Sequence, residues 1–229
     1  MRFGLQKLTL LDFPGQVACT IFCKGCNYRC PFCHNASLVE GDGELPYTAQ
    51  DIVDFLKKRT GILDGICLTG GEPLLTDEML EVAAEAKKLG YLVKLDTNGS
   101  FPERLKRAVD KKMVDYVAMD IKAPQKKYAA VCGNSTVLDA VRESVDFLKS
   151  KPIAFEFRTT VAATLHEVKD FAEIGKWIAG TERYYLQPFA DSGDILGGDA
   201  AVYKVTDEFV QECLLAAQKY VPAAAIRGR

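Results

Sequence analysis

The 229-residue sequence contains no apolar run approaching the roughly 20 residues that a membrane-spanning helix needs. Its opening, MRFGLQKLTLLDFPG, lacks the long apolar core and small-residue cleavage site of an export signal. Charge of one sign is also missing. With 29 basic and 31 acidic residues the formal net charge is −2, so there is no pervasive basic field for nucleic acid or an anionic membrane. No Pro/Ser-rich linker divides the chain, and no acid–base pair or nucleophilic triad stands out. These absences lead to the expectation of one cytoplasmic domain over residues 1–229, with neither nucleic acid nor membrane as a partner. Residues 221–229 read as a frayed tail.

What the chain does have is cysteine. Thiols stay reduced in such a compartment, so eight cysteines are not read as four disulfides. Five fall in CTIFCKGCNYRCPFCHN (19–35), which points to metal or redox chemistry. Cys67, Cys132 and Cys213 are scattered and read as small core residues. The cluster spells C-x-x-x-C-x-x-C twice, once through Cys19, Cys23 and Cys26 and once through Cys26, Cys30 and Cys33.

The path of the chain decides between them. VACTIFC (17–23) is β-branched and apolar, as a buried parallel strand should be. From there strand-like and helix-like segments alternate. TAQDIVDFLKKRT (48–60) starts on a capping Thr48, and DEMLEVAAEAKKLG (77–90) places acids first, lysines last and Gly90 as its stop. In all, six strand–helix units follow one another, the last across a Gly/Asp loop at 191–199. That order predicts an α/β fold with a parallel sheet, either as a curved, open partial barrel or as a doubly wound sheet. Both place ligand chemistry at the C-terminal ends of the strands.

On a strand, Cys19 and Cys23 lie about 13 Å apart at roughly 3.3 Å per residue, too far to hold one compact cluster. Residues 24–36 form a polar loop that can fold back, bringing Cys26, Cys30 and Cys33 to one centre. The second triad is therefore the expected one. CPFCH also spells a haem-attachment pattern, but that belongs to exported proteins. CPFC as a redox dithiol would leave Cys26 idle. Zinc, with His34 as a fourth ligand, remains open on these residues alone. Three thiolates on a cubane iron–sulfur cluster would leave one iron open to substrate.

GCNYRCPFCHN, with Phe32 just before the last Cys, resembles the cluster loop of radical S-adenosylmethionine enzymes. The resemblance extends over nearly the whole chain, because further family-like motifs recur at successive strand ends. It implies an open partial (β/α)6 barrel, a [4Fe–4S] cluster on Cys26, Cys30 and Cys33, and S-adenosylmethionine as cofactor. In LTGGEP (68–73), Gly70, Gly71 and Glu72 would bind the methionine amino group. LDTNG (95–99) and MDIK (119–122) resemble segments of glycyl-radical activating enzymes, which implies cofactor contacts for Asp96, Thr97, Asn98, Asp120 and Lys122. It also implies a monovalent cation near Asp96 and Asp120. Arg158 in FEFRTTV resembles a cofactor-contacting arginine, or is a plain surface one. Phe32 and His34 join the list as neighbours of Cys33, while His166 at a helix start reads as structural.

The chain departs from pyruvate formate-lyase activating enzymes at LQPFA (186–190), where Ala190 stands in place of their cofactor-contacting His. GLQKLTLLDFPG and CPFCHNASLV look most like the activating proteins of anaerobic ribonucleoside-triphosphate reductase. No second set of closely spaced cysteines exists to hold an extra ferredoxin-like cluster. The implied reaction is reductive cleavage of S-adenosylmethionine, with the 5′-deoxyadenosyl radical then taking a hydrogen atom from a glycine of a partner enzyme. A flavodoxin- or ferredoxin-type protein would supply the electron. The alternatives are activation of another glycyl-radical enzyme, such as pyruvate formate-lyase, and radical chemistry on a small metabolite such as a deazapurine precursor.

Overall fold

In the computed structural model, which describes residues 1–41, 43–151 and 153–228, the expected apolar runs become neighbouring strands of one sheet. These are β2 (Ala18–Cys23), β3 (Gly65–Gly70), β4 (Leu92–Thr97), β5 (Tyr116–Asp120), β6 (Ala154–Val161) and β7 (Tyr184–Pro188), each parallel to the next. Strand order follows chain order without reversal. A doubly wound sheet reverses its order at a switch point, so that alternative is excluded and the barrel-type winding stands.

The helices follow as expected. In α2 (Ala49–Lys57), Thr48 Oγ1 accepts from the Asp51 N–H while the Asp51 carboxylate accepts from the Thr48 N–H, a capping box that stabilises the start by about 1 kcal/mol. α3 (Glu78–Lys88) has Glu78 and Glu81 in its first turn and Lys87 and Lys88 in its last, matching its dipole. α4 (Pro102–Asp110), α6 (Leu138–Ser150), α7 (Val168–Trp177) and α8 (Asp207–Gln218) complete the outer layer. The short α1 (Ala36–Val39) and α5 (Tyr128–Cys132) lie in the loops after β2 and β5.

One addition and one correction concern the ends. The opening segment is a strand, β1 (Phe3–Thr9), antiparallel to β2 with an irregularity between Gln6 and Thr9. Residues 221–228 are not a frayed tail: Val221 and Ala224 are buried, and β8 (Ala225–Ile226) pairs with β7. The cause is charge as well as packing. Glu156 on β6 is fully buried, and Arg227 pairs with it while lying 3.4 Å above the Tyr185 ring. An unpaired carboxylate at that depth would be strongly destabilising, so the last strand is held in place.

Alternation along the strands sorts side chains between the outer helices and the inner face. Thr20, Phe22, Cys67, Thr69, Asp96, Asp120, Arg158, Thr160 and Gln187 all line one cavity. The intervening Ile21, Ile66, Leu68, Leu95, Met119, Phe157 and Leu186 are buried outside that lining. The inner face is therefore polar while the outer face makes the core.

Candidate functional site

The cavity has a volume of about 350 Å³, within the range of small-molecule sites. It is lined by Cys26, Cys30 and Cys33, by Phe32 and His34, and by all the other residues that the sequence singled out on the strand ends. Cys19 and Cys23, although buried, are not part of it. Thr20 and Phe22 occupy the cavity face of β2 instead, as alternation requires.

The loop 24–36 is latched on several sides. Gly25 N–H donates to Leu38 O (2.8 Å), Arg29 N–H to Cys132 O (2.8 Å), and Asn134 Nδ2 to Asn27 O (3.0 Å). From the other side, Asp194 accepts from Ser37, Ser192 Oγ donates to His34 O (3.2 Å), and Gly197 N–H donates to Pro31 O (2.7 Å). The Gly/Asp loop at 191–199 is thus a clamp on the cysteine loop.

Gly70 and Gly71 matter through this loop. A Cβ on Gly70 would fall 2.3 Å from Cys23 O, and one on Gly71 would fall 1.9 Å from Gly25 O. Gly71 N–H donates to Cys23 O (3.0 Å) and Glu72 N–H to Gly25 O (2.8 Å). Only hydrogen-only α-carbons let the end of β3 lie this close to the backbone that carries the cysteines.

Glu72, expected to meet an ammonium, is buried at the cavity wall and accepts three hydrogen bonds from the chain. Its Oε1 accepts from Leu74 N–H (3.0 Å) and Thr97 Oγ1 (2.7 Å), and its Oε2 accepts from Asn98 N–H (2.7 Å). Burial pushes its carboxyl up to about 7, against those three hydrogen bonds. Asn98 continues the brace: Oδ1 accepts from Ser100, and Nδ2 donates to Asn27 Oδ1 (3.0 Å) and approaches Cys26 Sγ (3.8 Å). Glu72, Thr97 and Asn98 line the cavity, and the Thr97 hydroxyl and Asn98 N–H on Glu72, with the Asn98 side chain on Asn27, tie two strand ends to the cysteine loop.

Asp96, Asp120, Lys122 and Arg158 do come together, and with them a residue the sequence reading missed. Arg158 donates Nη1 to Asp96 Oδ2 and Nε to Asp120 Oδ1, both at 2.9 Å. Lys122 Nζ donates to Asp120 Oδ2 (2.9 Å), and the buried Lys94 donates to Asp96 Oδ1. Burial is the largest influence on Asp96, Asp120 and Lys122 and opposes their charges. Against it, Arg158 together with Lys94 holds the Asp96 carboxyl below its ordinary range, Arg158 together with Lys122 does so for Asp120, and Asp120 with the neighbouring thiols raises Lys122. Arg158 is not a plain surface arginine. Three bases against two acids leave this wall one positive charge in excess.

His166 is structural as expected. Ala162 N–H donates to its Nδ1 (3.1 Å), which puts the proton on Nε2, and Nε2 donates to Lys122 O (2.9 Å). Its ring also packs edge-on against Phe32. On β7 the polar group reaching the cavity is Gln187, whereas Ala190 is exposed and does not line it. Cys67, read as ordinary core, sits on the cavity wall, while Cys132 and Cys213 are buried away from it.

The cysteine triad suits an iron–sulfur centre. Cys26 Sγ accepts from Tyr28 N–H (3.4 Å) and lies within reach of Asn98 Nδ2, and such N–H donors tune clusters of this kind. Burial pushes the Cys30 thiol up to about 12, with Lys122 acting against it, so a bound metal must displace that proton. Among the described residues no three His, Cys, Asp or Glu side chains are grouped closely enough to hold a single metal ion. No helix among the described residues is long and apolar enough to cross a membrane.

Residues 20–178 match the Radical SAM superfamily model. The chain is 31% identical over 194 residues to a putative glycyl-radical enzyme activating enzyme of Methanocaldococcus jannaschii, covering 81% of this chain and 78% of that one. It is 28% identical over 207 residues to the pyruvate formate-lyase-activating enzyme of Clostridium pasteurianum, covering 83% and 82%. The crystal structure of Streptococcus suis SuiB bound to S-adenosylmethionine superposes with a TM-score of 0.69 at 13% identity. That match covers 90% of this chain and 49% of the other, so the chain spans about half the length of that solved protein.

Proposed function

The chain belongs to the radical S-adenosylmethionine superfamily, and from that premise we propose that it activates a glycyl-radical enzyme, namely an anaerobic ribonucleoside-triphosphate reductase. The observation that carries the reading is the single cavity in which Cys26, Cys30 and Cys33 face Asp96, Asp120, Lys122 and Arg158 from successive parallel strand ends. Family membership implies a [4Fe–4S] cluster and S-adenosylmethionine, which when bound together supply one-electron cleavage of the sulfonium and a carbon radical that removes hydrogen from an unactivated C–H bond.

The chain's own work is placement. Cys26, Cys30 and Cys33 hold the cluster, and Asn98 and Tyr28 steady Cys26 by N–H donation. Gly70 and Gly71 let β3 close against the loop, and Glu72, Thr97 and Asn98 lock that approach. The surplus positive charge at Lys122 and Arg158 suits the cofactor's carboxylate. Phe32, held by His166, adds an apolar wall beside Cys33 that helps exclude water.

A glycine on a protein partner is supported by the relatives of similar length named for glycyl-radical activation. It is also supported by a sheet whose edge strands, β1 and β8, do not pair with each other, leaving a side by which a peptide can enter. A reductase rather than pyruvate formate-lyase is favoured by Gln187 and Ala190, which leave no His on β7 or just after it.

Anaerobic protein mixed with the reductase, cofactor and a reduced flavodoxin- or ferredoxin-type donor should give a glycine-centred doublet in electron paramagnetic resonance. Cofactor consumption without that doublet, for every glycyl-radical candidate, would favour a small-metabolite substrate. Cys30→Ser should abolish the cluster while Cys19→Ser and Cys23→Ser retain iron and sulfide. Cluster loss in Cys19→Ser alone would sink the choice of triad.

A further inference from the structure

The ion-pair group at the ends of β4, β5 and β6 is complete without any added ion. Asp96 Oδ2 and Asp120 Oδ1 are held by Arg158, Asp120 Oδ2 by Lys122, and Asp96 Oδ1 by Lys94. Each of the four carboxylate oxygens therefore already has a charge-assisted bond from a basic side chain.

Lys94 is the unexpected member. It lies on an otherwise apolar stretch of β4, two residues before Asp96 and so on the same face. Its side chain is 2% exposed, and Cys67 Sγ lies 3.8 Å from its ammonium. Burying an ammonium there is costly unless a specific charge needs it, and Asp96 is that charge. A dissociable monovalent cation between Asp96 and Asp120, which the resemblance implied, does not fit this arrangement. It would bring a fourth positive charge to two negative ones, and it would have to displace Lys94 or Arg158 from an oxygen already bound.

We propose that Lys94 is a positioning residue that replaces the dissociable cation with one covalently carried by the chain. Its ammonium fixes Asp96, and through Asp96 it holds Arg158 against the cavity wall. Cofactor binding in this protein is therefore independent of alkali ions. The inference rests on the cofactor assignment made above, but its structural half, a group that needs no added cation, stands on the ion pairs alone.

The test uses cluster-loaded protein in potassium, sodium and choline chloride at equal ionic strength. Equilibrium dialysis of S-adenosylmethionine should give wild-type dissociation constants that agree within about twofold across the three salts. In Lys94→Met, which keeps length but removes the charge, affinity in choline should fall by at least about tenfold and be restored saturably by potassium, sodium or methylammonium. Melting without cofactor supplies a second readout, with wild type blind to the choice of cation and Lys94→Met stabilised specifically by small cations. Should Lys94→Met fail to fold, thallium(I) binding to wild type decides the matter.

Saturable thallium binding that is lost in Asp96→Asn would overturn the proposal, as would wild-type affinity that depends on potassium. A folded Lys94→Met with full affinity in choline would overturn it too. Wild-type protein that binds no S-adenosylmethionine in any salt, yet shows the expected melting pattern, would refute the cofactor assignment and leave the built-in cation standing.

Discussion

Gly71→Ala tests how the cysteine loop is held. The added Cβ would lie 1.9 Å from Gly25 O and 2.5 Å from the Gly25 carbonyl carbon. Both partners are backbone, so no rotamer change relieves the contact. Reaching an acceptable separation requires the loop to move from β3 by about 1 Å, at about 1–3 kcal/mol of overpacking. The bond from Glu72 N–H to Gly25 O stretches with it, which adds about 1 kcal/mol. Displacement of this size at a reacting centre costs roughly 100-fold in rate. The variant should therefore bind less iron and sulfide after anaerobic reconstitution, and should cleave S-adenosylmethionine roughly 100-fold more slowly per cluster. Gly43→Ala is the matched control, since a Cβ there meets nothing within 4 Å. Wild-type iron content and a rate within about twofold in folded Gly71→Ala would refute the reasoning, because a loop free to yield would not depend on the glycine.

Glu72 and Arg227 yield two further tests. The Glu72 carboxyl is raised from 4.5 to about 7 in the folded chain, so the folded state holds its proton more tightly than the unfolded one. Its stabilising contribution is present below about pH 4.5 and is lost as the pH rises to about 7. Wild-type stability relative to Glu72→Gln, from urea unfolding of metal-free chains, should fall by about 2.5 kcal/mol between pH 5 and pH 8, and a flat difference would contradict the buried-carboxylate account. Arg227→Met leaves Glu156 with only the Tyr116 hydroxyl among its present partners. Allowing for the partial exposure of Arg227, this should cost about 2 kcal/mol and lower Tm by roughly 6 °C, and Glu156→Gln in that background should recover part of the loss.

The six parallel units were legible because each carried two concordant signals, an apolar run of strand length and an amphipathic helix with its cap. β1 was not, because FGLQKLT buries only Phe3 and Thr9 at its ends and shows no clean alternation. β8 is two residues long and exists through its neighbours, too short for any periodic pattern. In the site, spelling located the residues but not the bonds among them. Glu72, Thr97 and Asn98 read in sequence as ligand contacts, and the structure adds the hydrogen bonds by which they brace the cysteine loop. Lys94 did have a signal, a lysine inside YLVKLDTNG at period two from Asp96. Thr20 and Gln187 carried none, since a polar residue on a strand does not say which face is wet. The clamp between 191–199 and the cysteine loop spans some 160 positions, as in the Ser37 and Asp194 pair, and no local pattern could announce it.

The monotonic strand order bears on how the chain is made. Every strand from β2 onward pairs with the one synthesised just before it, so the sheet can be laid down in the order of translation, without waiting for a distant segment. The cysteine loop emerges early, but its clamp at 191–199 and the Arg227 lock on Glu156 emerge much later. A nascent chain therefore presents its three thiols before the cover that will enclose them.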